Sequence, residues 1–272
     1  DVARGLAVDS GGVVYVAGRT SSTNFPTTTV AFGGQPTGTN DVFVLRLDSA
    51  LSSLQGAVLL VGSGAEEARA LSLWSGDVYI AGETDSSDYP TTEGAFSRSN
   101  AGGLDAFISR LSGDLTTLVA STYIGGAGYE RDVSLALDAS GNVYVSGDTG
   151  SVDYPTTPGA YQQTHAGVYD VFISRLSGSL AGPLQASTLL GGSDGDYGQT
   201  LALWGGWVYV AGYTGSANFP TPGGAYTTHR GALDVFVARL DANLGASGMS
   251  GTFLGGTGWD YGMAVTLEPV TG

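Results

Sequence analysis

The hydrophobic positions of the chain fall into short runs of about five to seven residues that are rich in Val, Leu, Ile, Tyr and Phe. Gly, Pro, Ser, Thr and Asp separate these runs and interrupt every longer candidate, so no segment predicts a helix of useful length. Within the runs, apolar and polar positions alternate only loosely, which is typical of strands that are buried on both faces. The pattern therefore predicts an all-β chain of many short strands.

Four of these runs recur in a constant order. In one copy they read "SLALD" from Ser134, "NVYVSG" from Asn142, "DVFISRL" from Asp170 and "ASTLLGG" from Ala186. The tyrosine of the second run lies at positions 15, 79, 144 and 209, at steps of 64, 65 and 65 residues. Four antiparallel strands per repeat and no helix predict a β-propeller blade, with a hairpin turn at "ASGN". A β-solenoid and a tandem of β-sandwiches are the less favoured alternatives, because the repeat is long for the first and short for the second.

The repeats divide a single predicted β-propeller domain, residues 1–272, into four blades. The predicted units are residues 1–65, 66–129, 130–195 and 196–259. A fifth copy of the first run, "DYGMAVTLE", predicts one extra terminal strand within residues 260–268. That strand would cover a sheet edge, begin a further blade of a longer chain, or dock into another copy of the protein.

Composition and charge narrow the classes of partner. The 272 residues include 45 Gly and are 42% hydrophobic, which suits short strands and tight turns around a sizeable core. The formal net charge is −15 and every basic residue is Arg, so we expect no nucleic-acid partner, since phosphate binding requires a basic face. The chain has no Cys, and no apolar run approaches the roughly 20 residues of a membrane span, so we expect neither disulfides nor membrane insertion.

One phrase of the repeat identifies a family. The stretch "GNVYVSGDTGSVDYPTTPGAYQ", followed by "DVFISRL", closely resembles the bacterial SBBP-type β-propeller repeat. The resemblance covers essentially the whole chain, and the pairing of "FPTT" or "YPTT" with D-x-F-[VI]-x-R-L is uncommon. It implies an extracellular or cell-surface module of bacteria, and it carries no general catalytic motif over to these positions.

Several residues recur in every unit and predict packing. Each third run begins with Asp and carries Arg five residues later, as at Asp170 and Arg175. An odd offset places the two side chains on opposite faces of a strand, so we expect them to pair with a neighbouring blade or with backbone and not with each other. An aromatic residue precedes the Pro of each "FPTT"-type phrase and is expected to fill the groove between blades. These residues are Phe25, Tyr89, Tyr154 and Phe219.

An acidic residue begins each unit, and the aligned positions are Asp1, Glu66, Glu130, Asp196 and Asp260. In a closed propeller these acids would ring one mouth of the central channel, where like charges raise each other's pKa or recruit a cation. Ca²⁺ is a candidate, since it takes about six to eight oxygen ligands and backbone carbonyls could supply some of them. Its candidate ligands are Glu66, Glu130, Asp196 and Asp260. The alternative is that each carboxylate binds N–H groups of its own turn.

The candidate ligand-binding residues lie where the repeats differ. The first run ends in Trp at Trp74 and Trp204 and in an acid elsewhere. The most irregular loops, between the second and third runs, hold His165, His229 and Arg230. Loops on a rigid scaffold are common binding positions, so we expect a carbohydrate or protein ligand on this loop face. The alternatives are packing for the Trp residues and solvated loops for the His residues.

No catalytic motif stands out from the repeat background, since the chain lacks a G-x-S-x-G elbow, an H-E-x-x-H sequence and any Cys. The favoured interpretation is a non-catalytic, extracellular or cell-surface propeller that binds or scaffolds. One alternative is a propeller enzyme that acts on polysaccharide through acids at the channel mouth. Another is a structural subunit of a surface assembly or filament, which self-associates through its terminal strand.

Overall fold

The computed structural model describes residues 1–36 and 39–266. These residues form sixteen β-strands and no helix. The strands make four four-stranded antiparallel sheets, each in simple chain order, so the predicted class of an all-β propeller built from four-stranded blades is confirmed. No helix with the length and hydropathy of a membrane span occurs in the described part of the chain.

The chain divides into two compact units. The first comprises Asp1–Arg131 and Ser177–Pro183, and the second comprises Asp132–Leu176 and Leu184–Gly272. The first unit holds blade 1, with β1 (Val2–Val8), β2 (Val14–Thr20), β3 (Asp41–Leu47) and β4 (Leu54–Leu60), and blade 2, with β5 (Glu66–Trp74), β6 (Asp77–Thr84), β7 (Asp105–Leu111) and β8 (Leu118–Ile124). The second unit holds blade 3 apart from the first two residues of β9, with β9 (Glu130–Leu137), β10 (Val143–Thr149), β11 (Asp170–Leu176) and β12 (Ala186–Leu190), and blade 4, with β13 (Asp196–Trp204), β14 (Trp207–Thr214), β15 (Asp234–Asp241) and β16 (Ser250–Leu254).

Packing inside each unit follows one rule, in which the first strand of the later blade lies on the preceding blade. In the first unit β5 contacts β1, β2 and β3, and in the second unit β13 contacts β10 and β11. Each contact is lined by buried apolar side chains, among them Ile80 and Phe107 in the first unit and Val210 and Phe236 in the second. The loosely alternating runs are thus covered on both faces, as the pattern predicts.

The extra terminal strand is not formed in the described residues. Residues 260–266 have no strand structure, and residues 267 and 268 lie outside the described part of the chain. The matching segment Asp196–Trp204 is a strand because it pairs along its whole length with Trp207–Thr214. The terminal copy has no following strand among the described residues, and a strand without a partner leaves its backbone groups unsatisfied.

The hairpins that join the first two strands of each blade are of two kinds. In blade 4, Trp204 pairs with Trp207 across a two-residue turn, and both turn residues, Gly205 and Gly206, have positive φ. Positive φ at both positions defines a type I′ turn, which favours Gly. In blade 3 the loop is longer, and Oδ1 of Asp138 accepts backbone N–H groups inside it, at 2.9 Å each.

The aromatic residue of each "FPTT"-type phrase packs on the third strand of its own blade. Its ring lies against the Phe of that strand, as Tyr154 does against Phe172 at a centroid distance of 4.9 Å, and Tyr154 also shares a hydrogen bond with Ser174. Tyr89 and Phe219 also belong to the buried clusters that hold side chains of the preceding blade, so the expected position between blades is confirmed for these two. The other pairs are Phe25–Phe43, Tyr89–Phe107 and Phe219–Phe236, at 4.8, 4.5 and 4.4 Å.

Candidate functional site

The acids that begin the units are bound by the loop that precedes them. Glu66 and Asp196 are almost completely buried, and each accepts the backbone N–H of the residue four positions earlier, Gly62 at 3.0 Å and Gly192 at 2.7 Å. Gly126 and Gly256 bind Glu130 and Asp260 in the same way. This is the binding of local N–H groups that the sequence leaves as the alternative to a metal site.

Two hydroxyls at the end of the second strand also bind the acid at Asp1, Glu66 and Asp196. Thr84 and Ser86 donate to Glu66, and Thr214 and Ser216 donate to Asp196. Thr20 and Ser22 bind Asp1 likewise. Sequence reasoning missed these partners, although a T-x-S triplet follows the second run in every repeat and was the available signal. The triplet recurs because it holds the acid of the adjoining strand.

A carboxylate of the preceding blade lies near Asp196. Where blade 3 joins blade 4, Oδ1 of Asp170 and Oδ2 of Asp196 both approach the position that a Cβ on Gly191 would occupy, the second at 2.8 Å. Burial raises the pKa of Asp196 to about 7, against the hydrogen bonds from Thr214, Gly192 and Ser216, and the nearby Asp170 raises it further. Burial likewise raises the pKa of Asp170.

The Ca²⁺ expectation finds no supporting cluster. Among residues 1–36 and 39–266, no group of three or more His, Cys, Asp or Glu side chains is arranged to hold a metal ion. The donors that surround Glu66 and Asp196 are N–H and O–H groups, which use the carboxylate lone pairs that a cation would need. The two carboxylates therefore hold the loop and the strand end around them.

The recurring Asp and Arg of the third strand do not pair with each other, as their spacing predicts. Asp170 accepts the backbone N–H of Ala166 at 2.9 Å, which anchors the preceding loop. Arg175 lies directly opposite Tyr144 in the ladder, with its guanidinium carbon 5.5 Å from the centre of that ring. Its Nη1 also donates to the carbonyl of Ala242, at 3.4 Å.

What else the arginine binds depends on the residue two positions before the tyrosine. In blade 2 that residue is Asp77, and it binds Nε of Arg110 at 2.7 Å and Nη2 at 2.5 Å. In blade 3 the residue is Asn142, whose amide donates to Asp138 at 2.8 Å. Within the described residues, Nε of Arg175 is buried without a hydrogen-bond partner, and its Nη2 lies 3.9 Å from Asp138.

An aromatic groove opens beside Arg175 in the second unit. Its volume is about 390 Å³. Trp204, whose surface is 52% exposed, and Trp207 come from the hairpin of blade 4, and Tyr144, Arg175 and Asp138 come from blade 3. Leu137, Leu203, Val208 and Ala242 add apolar lining. Apolar walls with a few convergent polar groups are the usual composition of a ligand site, so this groove is the candidate functional site.

The groove is held rigidly on its aromatic side. The guanidinium carbon of Arg239 stands 4.2 Å from the centre of the Trp207 ring, and Gly248 lies so close to that ring that a Cβ there would be 2.6 Å from it. The type I′ turn fixes Trp204 beside Trp207. Burial would raise the pKa of Asp138, but the donors Asn142 and Ser140 and the Arg175 charge outweigh it, so that pKa is lowered.

Of the sequence candidates, Trp204 is the one that lines this groove. Trp74 occupies the same hairpin position in blade 2, where it is half-buried and pairs with Asp77. His165 binds the carbonyl of Thr149 through Nε2 at 3.1 Å, and His229 binds that of Thr214 at the same distance. Since a carbonyl only accepts, each Nε2 carries the proton, and each ring ties its loop to a strand end.

Arg230 lies apart from the aromatic groove. Its backbone N–H donates to Asp234 at 2.8 Å, and its side chain lines a separate cavity of about 260 Å³ with Tyr226 and Phe253. The loop face therefore carries a smaller cavity, while the aromatic groove lies at the hairpin end of blades 3 and 4. The partners of Trp204 were not recognisable in the sequence, because Tyr144 and Arg175 belong to strands 60 and 29 residues away from it.

Comparison with curated proteins finds a relative that is similar over most of this chain. No family model matches the chain. The chain is similar to the regulatory protein FlaEY of Caulobacter vibrioides, with 29% identity over 237 residues, which are 82% of this chain and 24% of that protein. The chain thus spans about a quarter of the length of the curated relative that it matches.

Comparison with solved structures finds likenesses of low similarity. The RS223 β-xylosidase gives a TM-score of 0.43 at 10% identity, over 95% of this chain and 76% of that one. A GH43_1 enzyme from Xanthomonas citri gives 0.41 at 14% identity, over 96% and 72%. BamB from Moraxella catarrhalis gives 0.29 at 10% identity, over 75% and 65%. Likenesses at this level say nothing about the chemistry of this chain.

Proposed function

We propose that the protein is a non-catalytic carbohydrate-binding β-propeller module and that the aromatic groove of blades 3 and 4 is its binding site. The observation that carries the proposal is the half-exposed Trp204 beside Trp207 and Tyr144, with Arg175 and Asp138 in the same groove. A further part of the proposal, which depends on the resemblance to the SBBP-type repeat, is an extracellular or cell-surface location.

The composition of the groove suits a sugar ring. The flat C–H face of a sugar packs on an aromatic ring, while its hydroxyls need both hydrogen-bond donors and acceptors at the ring edge. Trp204 supplies an exposed ring, Arg175 supplies donors, and Asp138 supplies an acceptor. Because the hairpin and the Arg239 stack hold the aromatic wall in place, little conformational entropy is lost when a ligand binds.

Binding of oligosaccharides tests the proposal. The wild-type protein is screened by isothermal titration calorimetry against neutral and acidic oligosaccharides of three to six units, and we expect at least one to bind. Trp204→Ala should weaken that binding by about tenfold or more, since an exposed aromatic platform contributes about 2 kcal/mol. Trp204→Tyr should retain most of the affinity because it keeps a ring.

The matched control is Trp74→Ala, which removes the tryptophan side chain at the same hairpin position of blade 2 and should leave binding unchanged. The absence of binding by any oligosaccharide would overturn the proposal. Equal losses in Trp204→Ala and Trp74→Ala would also overturn it, because the groove of the second unit would then have no special role.

The second candidate function is a propeller enzyme that acts on polysaccharide, and the pKa of Asp196 favours it. A general acid works best with a pKa near the working pH, and the pKa of Asp196 is raised to about 7 beside a second carboxyl, Asp170. Against it, both side chains are completely buried. Release of reducing ends from a polysaccharide panel, abolished in Asp196→Asn, would establish this function in place of the first.

A further inference from the structure

Two arginines at the same position of neighbouring repeats differ in what their guanidinium groups bind. Arg110 and Arg175 each lie opposite a tyrosine, Tyr79 and Tyr144, and each guanidinium carbon is 5.5 Å from the ring centre. Each also donates from Nη1 to a backbone carbonyl, at 3.2 and 3.4 Å. The two side chains thus share a tyrosine ring and a backbone carbonyl as contacts. They differ in what lies at the guanidinium edge formed by Nε and Nη2.

A carboxylate occupies this edge of Arg110. Oδ2 of Asp77 accepts from both Nε and Nη2 of Arg110, as a charge-assisted pair. In blade 3, Asn142 holds that place and turns its amide to Asp138. The Nε and Nη2 edge of Arg175 therefore lacks the carboxylate oxygen that binds the same edge of Arg110.

Asp138 does not fill that edge. Its Oδ2 is 3.9 Å from Nη2 of Arg175, beyond hydrogen-bond distance, while the side chain is already bound by donors from Ser140 and Asn142. The same Nε is without a partner in Arg46 and Arg239, among the described residues. Arg175 is the arginine that lines the aromatic groove, and 22% of its side chain is exposed there.

We propose that the groove recognises a carbohydrate that carries a carboxylate, a uronic acid residue, and that Arg175 binds that carboxylate while the sugar ring packs on Trp204. This inference rests on the carbohydrate-binding function proposed above and names its ligand class. The ligand carboxylate accepts from Nη2, which Asp77 binds in Arg110, whereas Nε of Arg175 is buried and does not reach the groove. Arginine is suited to this because its guanidinium group stays charged and is more weakly hydrated than an ammonium group.

The ligand pair that tests the inference differs only in charge. Trigalacturonate and its fully methyl-esterified form have the same sugar ring and length, and the ester masks the carboxylates. We expect the acid to bind wild-type protein about tenfold more tightly at low salt and to lose part of this advantage in about 0.5 M NaCl, because a partly exposed ion pair is screened. Titration calorimetry measures both affinities.

Three variants locate the recognition. Arg175→Gln should bring the affinity for trigalacturonate down to that for the ester. Asp138→Asn should raise the affinity for the acid, because it removes a negative charge from beside Arg175. Arg110→Gln is the matched control, since it removes the corresponding arginine from blade 2 and should leave both affinities unchanged.

The outcomes separate this inference from the function on which it rests. Equal affinities for acid and ester, or binding of only neutral oligosaccharides, would overturn the uronate inference and leave carbohydrate binding standing. If no oligosaccharide binds at all, the carbohydrate-binding function fails. If Arg175→Gln does not fold, judged by its near-UV circular dichroism, the comparison of acid and ester on the wild-type protein decides alone.

Discussion

Tyr144 and Arg175 lie directly opposite each other on β10 and β11, with the guanidinium carbon 5.5 Å from the centre of the tyrosine ring. The pair recurs in the other blades as Tyr15–Arg46 and Tyr79–Arg110, at 5.9 and 5.5 Å. In blade 4 the arginine instead stands over Trp207. The repeat thus places an arginine beside an aromatic ring in each blade. Single residue differences between the units decide what else that arginine contacts.

The ion pair between Asp77 and Arg110 should stabilise the first unit. Both side chains are mostly buried, so Asp77→Asn should lower the free energy of unfolding by about 1 to 3 kcal/mol, because it leaves a charge without its partner. Urea denaturation of the single variants and of the double variant Asp77→Asn with Arg110→Met measures the coupling energy. A coupling energy near zero would contradict a stabilising ion pair.

The buried carboxyl of Asp196 should make the protein less stable as the pH rises. Its pKa is about 7 in the folded state and 3.8 when unperturbed, so the folded state binds more protons than the unfolded state between these values. The stability it contributes is fully present below 3.8 and is lost as the pH rises through about 7. The full loss is on the order of 4 kcal/mol.

Thermal unfolding of wild type and Asp196→Asn from about pH 4 to about pH 8 checks this expectation, because the difference between the two isolates this carboxyl. We expect the variant to gain stability relative to wild type as the pH rises. Asp114→Asn is the control, since the pKa of the exposed Asp114 is about 2, lowered by bonds from Ser112 and Thr116, and it titrates below the range. Parallel curves for wild type and Asp196→Asn would refute the raised pKa.

Gly191 should be intolerant of a side chain. A Cβ at this position would lie 2.8 Å from Asp196 and closer than 3.0 Å to Asp170, both of which are buried. Gly191→Ala should therefore lower the free energy of unfolding by about 1 to 3 kcal/mol. Gly256→Ala is the control, since nothing lies within 4 Å of its Cβ position. Because Val61 fills the corresponding position of blade 1, an unchanged midpoint would show that the carboxyl pair can move apart.

The loop histidine His165 should be replaceable by asparagine. In blade 2 the corresponding residue is Asn100, whose amide donates to the carbonyl of Thr84 at 3.2 Å, as His165 donates to Thr149. His165→Asn should keep the free energy of unfolding, and His165→Leu should lower it by about 1 kcal/mol and speed cleavage of the loop in limited proteolysis. Equal behaviour of the two variants would show that the hydrogen bond does not hold the loop.

The blade-level architecture could be predicted because it depends on local, repeated signals. Runs of strand length, turn residues and a constant period were sufficient for four-stranded blades, and the first strands begin at the predicted unit boundaries Glu66, Glu130 and Asp196. The predicted terminal strand failed within residues 260–266 for the opposite reason, since a strand depends on a partner and not on its own sequence.

The candidate site could be predicted only in part. Trp204 was recognisable because it departs from the acid found at that position in other repeats, but the groove around it combines two blades. The partners Tyr144 and Arg175 looked like every other copy of the repeat, so nothing in their own sequence marked them. The residue that changes the role of Arg175 is Asn142. Its importance becomes visible only when it is compared with Asp77, the corresponding residue of blade 2, which binds Arg110.

By itself, the sequence determined the strands, the period and the residues that every blade needs, because hydrophobic pattern and turn chemistry act over a few neighbouring positions. Tertiary structure alone decided which carboxylates are buried against hydroxyls, which arginines lack a carboxylate at Nε, and where Trp204 meets other aromatic rings. Those relationships depend on strand register and on the packing of one blade against the next, which bring together side chains that are distant along the chain.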